Sequence, residues 1–172
     1  MDESIRGRTS GSRTVAVVGA GSVGVAAAYA MFNRRTATDI VLVDQDERRA
    51  RGEASDLMHA QSLVDRVRVR ALPITELGEV HTIVITAGAN QKRGETRLSL
   101  LQRNAQVVTE IVHALDAHAP HARLVVATNP VDVLTRLALA VTKRPRHLVL
   151  GTGTMLDSAR LRALLGDAFE VS

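Results

Sequence analysis

Between Arg13 and Gly24 the chain reads Arg-Thr-Val-Ala-Val-Val-Gly-Ala-Gly-Ser-Val-Gly, which narrows the choice of fold sharply. Thr14 to Val18 is a β-branched run suited to a strand. Gly19, Gly21 and Gly24 follow at G-x-G-x-x-G spacing, and an alanine-rich helical run from Val25 to Phe32 begins at once. Strand, tight turn and helix form the context in which this spacing carries a pyrophosphate. The first glycine permits the turn, the second lets backbone approach the phosphates, and the third lets helix and strand pack closely. The anion then rests on unpaired N–H groups at the helix N-terminus. A glycine-rich turn that binds nothing has the same spacing, so a second feature must decide.

Asp44 is that feature. It ends a second apolar run, Ile40 to Val43, and follows Gly24 by 20 residues, where a dinucleotide fold places the acid that binds ribose hydroxyls. A carboxylate there repels a 2′-phosphate, so NAD is favoured over NADP. Helix capping, the other use for an acid here, is better met by Asp46.

The rest of the chain repeats the alternation. Helices are expected from about Val23 to Arg34, apolar on nearly every side, and from Asp46 to about Ser62. Further helices follow from about Thr96 to His118, from Asn129-Pro130 to Val141, and from Met155 to Leu165, where Gly166 ends the last. The long helix carries Leu98, Leu101, Ala105, Val108, Val112 and Leu115 at steps of three and four, an amphipathic stripe. Strands are expected at Val67–Ala71, Thr82–Thr86, Arg123–Ala127 and His147–Leu150. With Thr14–Val18 and Ile40–Val43 these predict a Rossmann doubly wound parallel sheet of six strands, an α/β fold. Ligands of such sheets bind beyond the carboxyl ends of the strands. Gly19, Asp44, Gly88, Asn129 and Thr152 all follow strands at that rim.

Composition removes other classes. With no cysteine, thiolate chemistry and disulfide frameworks are excluded. No apolar run approaches the ~20 residues of a membrane span. Met1 to Ser12 lacks the apolar core of a signal peptide and reads as a disordered lead-in, so a cytoplasmic protein is expected. The net charge of +4 raises nucleic-acid binding, but the basic residues are scattered. Tyr29, Phe32 and Phe169 are too few for a base-stacking platform. Neither nucleic acid nor membrane is an expected partner.

Four motifs in order then match a family. They are Gly19-Ala-Gly-Ser-Val-Gly24, Thr86-Ala-Gly-Ala-Asn-Gln-Lys-Arg-Gly-Glu-Thr-Arg97, Thr128-Asn-Pro-Val-Asp132 and Gly151-Thr-Gly-Thr-Met-Leu-Asp-Ser-Ala-Arg-Leu-Arg162. The chain resembles the amino-terminal half of L-lactate dehydrogenases, within the lactate/malate dehydrogenase superfamily. The resemblance covers about Arg13 to Ser172, almost everything in the chain. It implies a Rossmann NAD-binding domain over 13–153 and the start of a substrate domain over 154–172.

It also implies roles. Gly19, Gly21, Val23, Gly24, Asp44, Arg49, Gly88 and Ala89 would contact NAD, and Thr152 would lie near the nicotinamide end. Arg160 would grip the substrate carboxylate with two parallel hydrogen bonds. Arg97, on the active-site loop, would polarise the ketone oxygen. Asn129 would contact both the cofactor and the reacting oxygen, and Asp157 would orient a catalytic histidine. Gln91 matches the specificity position, where a neutral amide suits pyruvate and an arginine would suit oxaloacetate. Arg162 matches an arginine that binds fructose 1,6-bisphosphate in allosteric members, and the family implies a homotetramer.

One departure bears on activity. The family's catalytic histidine lies beyond the arginine matched by Arg160, in a Gly-Glu-His-Gly-type stretch. No histidine follows Arg160 here. The expectation is therefore an L-lactate dehydrogenase, reversibly reducing pyruvate to lactate, with its substrate domain and proton donor missing from this chain. The alternatives are malate dehydrogenase and a non-catalytic NAD-binding module.

Overall fold

The computed structural model describes residues 13–64, 67–91 and 94–171. The expected lead-in at 1–12, Lys92 and Arg93 of the second motif, and Ser172 lie outside the described residues. Six parallel strands, β1 (Thr14–Val18), β2 (Asp39–Val43), β3 (Arg68–Ala71), β4 (Thr82–Ile85), β5 (Arg123–Val126) and β6 (Val149–Gly151), lie in the order β3-β2-β1-β4-β5-β6. Helices α1 (Ser22–Arg34), α2 (Glu47–His59), the short α3 (Gln61–Val64), α4 (Arg97–His118) and α5 (Val131–Val141) lie between the strands, and α6 (Met155–Phe169) follows the last of them. The order reverses between β1 and β4, so the carboxyl ends of those two strands frame the crevice expected to hold a ligand.

Period-two alternation divides the central strands between two cores. Ala16, Val18, Val41 and Val43 pack with Val108, Val112 and Leu115 of α4 and Leu134 and Ala138 of α5. Val17, Ile40 and Leu42 pack with Ala28 and Phe32 of α1 and Ala50, Ala54 and Leu57 of α2. Both sheet faces are covered, as parallel sheets require.

Four expectations shift locally. Helix α1 is not buried all round: Gly24, Ala28 and Phe32 are buried, whereas Val23 and Tyr29 are more than half exposed. Helix α2 stops at His59, because Ala60 leaves helical geometry before α3 begins. Strand β6 starts at Val149, not His147, because Leu148 N–H donates to the Pro145 carbonyl and closes a 3₁₀ turn. Helix α6 runs through Gly166 to Phe169. Glu170 ends it in the left-handed region (φ 51°), with Val171 N–H donating to the Gly166 carbonyl.

Asp46 caps α2 as expected, accepting from Arg48 and Arg49 N–H, and Thr96 caps α4 through Ser99 N–H. At the amino edge of the sheet, a buried arginine closes the other end of α4. Arg144 donates to the carbonyls of Leu115, Ala119 and Ala122 and pairs with Asp116, and both side chains are nearly inaccessible. Helix α6 is the opposite case. No residue of it is buried, and Met155 and Phe169 are each more than 70 % exposed (71 % and 72 %).

Candidate functional site

The glycine turn is built from both sides. Gly19 N–H donates to the Val43 carbonyl of β2 at 2.7 Å, and its carbonyl accepts from the Thr86 hydroxyl at 2.8 Å. Gly19 has φ +106°, and a Cβ there would lie 2.5 Å from Ala87 N. A Cβ on Gly24 would run into the Gly19 carbonyl oxygen and come within 2.7 Å of Thr86 Oγ1. Packing therefore demands both glycines. Gly21 is different: a Cβ on it would meet nothing within 4 Å, and its φ is an ordinary −81°. What remains to explain it is something that approaches from outside. Gly21 is also the N-cap of α1, with no side-chain cap and no acid in the first turn, which leaves N–H groups and the positive helix end available to an anion.

These geometries make opposite predictions for two alanines. Gly24→Ala should lower stability by about 2 kcal/mol or more, since overpacking against backbone outweighs a helix propensity gain of ~1 kcal/mol. Gly21→Ala should change stability by about 1 kcal/mol or less yet weaken dinucleotide binding several-fold. Urea unfolding and a binding titration read the two effects separately. A Gly21→Ala chain with wild-type affinity would show that this glycine serves no ligand.

Asp44 joins the turn directly. Its Oδ2 accepts from Ala20 N–H at 2.7 Å and its Oδ1 from Asp46 N–H at 2.9 Å. The half-buried carboxylate is thus clamped between the glycine turn and the start of α2, with lone pairs left for ribose hydroxyls. Between α1 and α2 runs a groove of about 420 Å³ whose walls include Gly21, Ser22, Tyr29 and Arg49. It brings Arg49 to the same opening as Gly21. Val23 is exposed in the first turn of α1.

Across the switch point, Gly88 and Ala89 follow β4, Asn129 follows β5, and Thr152 follows β6 with its N–H on the Val126 carbonyl at 3.0 Å. The structure brings these to one rim with Gly19 and Asp44. Gln91 and Arg97 sit beyond it, both exposed, with Gln91 Nε2 donating to the Glu95 carbonyl at 2.9 Å. Asp157 and Arg160 pair with each other at 3.2 Å on exposed α6, each about two-thirds accessible (69 % and 64 %). Among the described residues, no side-chain hydrogen bond or ion pair ties them, or the exposed Arg162, to the rim.

None of the histidines reaches this rim. His81 precedes β4, with its Nδ1 accepting from Thr14 N–H at 3.2 Å. His147 stands in the turn before β6, and His59, His113, His118 and His121 lie at or beyond the carboxyl-terminal parts of α2 and α4. Helices run antiparallel to the strands they connect, so all of these belong to the opposite edge.

Sequence reasoning missed three rim residues. Thr86 buttresses the turn through its hydroxyl. Arg103 holds the loop before α4, donating to both Glu95 carboxylate oxygens at 2.9 and 2.8 Å and to the Asn90 carbonyl at 2.9 Å. Asn104, 4 % exposed, bonds to Ala89 and Asn129. A signal for Asn104 existed: it is a polar residue on the face where the stripe calls for an apolar one. Leu98, counted in that stripe, is 65 % exposed instead.

A doubly wound sheet with an open glycine turn, an uncapped helix N-terminus and an acid at the end of β2 defines a dinucleotide-binding domain. Residues 13–151 match the family model described as lactate/malate dehydrogenase, NAD binding domain, and the chain belongs to that family. It is 57 % identical over 160 residues to an L-lactate dehydrogenase of Salinibacter ruber, covering 92 % of this chain and 51 % of that protein. It is 45 % identical over 156 residues to one of Gloeobacter violaceus, covering 91 % and 47 %. Among solved structures, a minor L-lactate dehydrogenase of Enterococcus mundtii superposes with a TM-score of 0.91 at 39 % identity, over 94 % of this chain and 52 % of that one. The chain spans about half the length of the curated relatives it matches.

Proposed function

We propose that this chain is the NAD-binding part of an L-lactate dehydrogenase, which reversibly reduces pyruvate to lactate. The observation that carries the cofactor reading is the clamped Asp44 carboxylate beside the open Gly21 turn. The first turn of α1, with Gly21 and Val23, would hold the pyrophosphate, with Arg49 beside it. Asp44 would hold the adenosine ribose, while Gly88, Ala89, Asn129 and Thr152 would meet the nicotinamide half. NAD, when bound, supplies the hydride acceptor or donor.

The chain's own residues bind and orient the substrate. Arg160 would fix the carboxylate, Arg97 and Asn129 would hold the ketone oxygen, and Asp157 would orient the proton donor. Gln91 supports pyruvate over oxaloacetate, since a neutral amide offers no counter-charge to a second carboxylate. Residues 154–172 would begin the substrate domain, in keeping with an α6 that buries nothing against the sheet. The reading carries with it a cytoplasmic homotetramer, and Arg162 as a contact for fructose 1,6-bisphosphate.

Titration with both dinucleotides tests it. With each Asp44 oxygen held by a backbone N–H, the carboxylate is not free to swing away from a 2′-phosphate. NADH should therefore bind at least about tenfold more tightly than NADPH, or 1.4 kcal/mol. Equal affinities would overturn the assignment of Asp44.

A further inference from the structure

We propose that Asn104, in the middle of α4, is a positioning residue that sets the nicotinamide side of the rim; the inference rests on the NAD reading above. Asparagine is a poor choice for a helix interior and for a core. Asn104 is nonetheless 4 % exposed, on the same face as Val108 and Val112. A leucine would continue that face, so packing alone does not call for an amide.

What calls for it is the gap between two strand-end loops. The ladder between β4 and β5 runs to Ile85 and Val126. One further turn is joined by Ala127 N–H on the Ile85 carbonyl at 2.9 Å and by the Thr128 hydroxyl on the Ala87 carbonyl at 2.8 Å. Beyond that, Ala89 and Asn129 are tied to each other through Asn104. Its Oδ1 accepts from Ala89 N–H at 2.7 Å, and its Nδ2 donates to the Asn129 carbonyl at 3.3 Å. One side faces a donor and the other an acceptor, so a single amide orientation satisfies both. The spacing between a cofactor contact and the residue at the reacting oxygen is therefore set from α4. A misplacement of ~1 Å at a reacting centre can lower rates by ~10²-fold.

The test compares NADH with ADP-ribose, which lacks the nicotinamide, on the 172-residue chain and two variants. Asn104→Asp keeps the acceptor for Ala89 but sets an oxygen against the Asn129 carbonyl. Asn104→Leu removes both bonds while keeping the apolar face. We expect NADH to weaken about tenfold in Asn104→Asp and further in Asn104→Leu, with ADP-ribose within about twofold of wild type. Hydrogen exchange at the Ala89 amide should stay slow in the aspartate variant and become fast in the leucine variant. Should Asn104→Leu fail to fold, Asn104→Asp carries the comparison. Equal loss of both ligands, loss of neither, or failure of both variants to fold would make Asn104 purely structural and overturn the proposal. A wild-type chain that binds neither ligand would defeat the NAD reading itself, and the proposal with it.

Discussion

Prepared by itself, the 172-residue chain is expected to bind NADH weakly and to leave pyruvate unreduced. Reducing a ketone requires a proton at the developing alkoxide, and a positioned general acid is commonly worth ~10²–10⁴ in rate. The histidines stand at the amino edge of the sheet, away from Asn129 and Thr152, and none follows Arg160. Arg160 is also exposed and already paired with Asp157, so in water any hold it had on a substrate carboxylate would be weak. The measurement is NADH oxidation at saturating pyruvate, alongside a chimera that joins this chain to the second half of a full-length relative. The chain should fall at least about 10²-fold below the chimera. Turnover within about tenfold would show that a proton donor is present in these residues and that the assignment of the histidines to the far edge is wrong.

The largest expected loss of stability lies far from the site, at Arg144. Its guanidinium closes the end of α4 by donating to three backbone carbonyls, and its partner Asp116 also accepts from the Thr142 hydroxyl and Lys143 N–H, both at 2.8 Å. Burial pushes the Arg144 pKa below its ordinary value, while the Asp116 carboxylate works in the opposite direction. The guanidinium stays paired in this buried place through the three carbonyls and the Asp116 carboxylate. Arg144→Met strands the Asp116 charge and the carbonyls of Leu115, Ala119 and Ala122. Breaking one side of such a pair costs about 3–5 kcal/mol, a large part of a total near 5–15 kcal/mol. Urea denaturation should show this as a lowered midpoint, and heating as a fall in Tm of about 10 °C. An unchanged midpoint would mean that desolvation cancels everything the arginine contributes. Arg144→Met with Asp116→Leu should recover part of the loss, because no unpaired charge is then buried.

Much of the fold and part of the site were legible in the residues themselves. The sheet class follows from the alternation of strand and helix runs, and the rim follows from it, because every parallel strand ends at the same edge. Gly19, Gly24 and Asp44 could be placed from spacing alone, since a turn, a close packing and a strand end are local requirements. Asp46 and Thr96 likewise cap their helices through bonds spanning two or three residues. Local features near Gly and Pro were less secure. Gly166 sits inside α6, and Pro145 delays β6, because a single residue's preference is outvoted by the hydrogen bonds around it.

Tertiary structure alone decided which polar groups meet. Asn104 reaches Asn129 across 25 residues, Arg144 reaches Leu115 across 29, and Thr86 reaches Gly19 across 67. Periodicity reports that a face is buried but not which carbonyl or amide waits opposite it. That is set by the order of strands in the sheet and by the depth at which each helix packs. An apolar stripe would tolerate any hydrophobic residue at position 104. The single buried amide there has its partners only because β4 and β5 end side by side beneath α4.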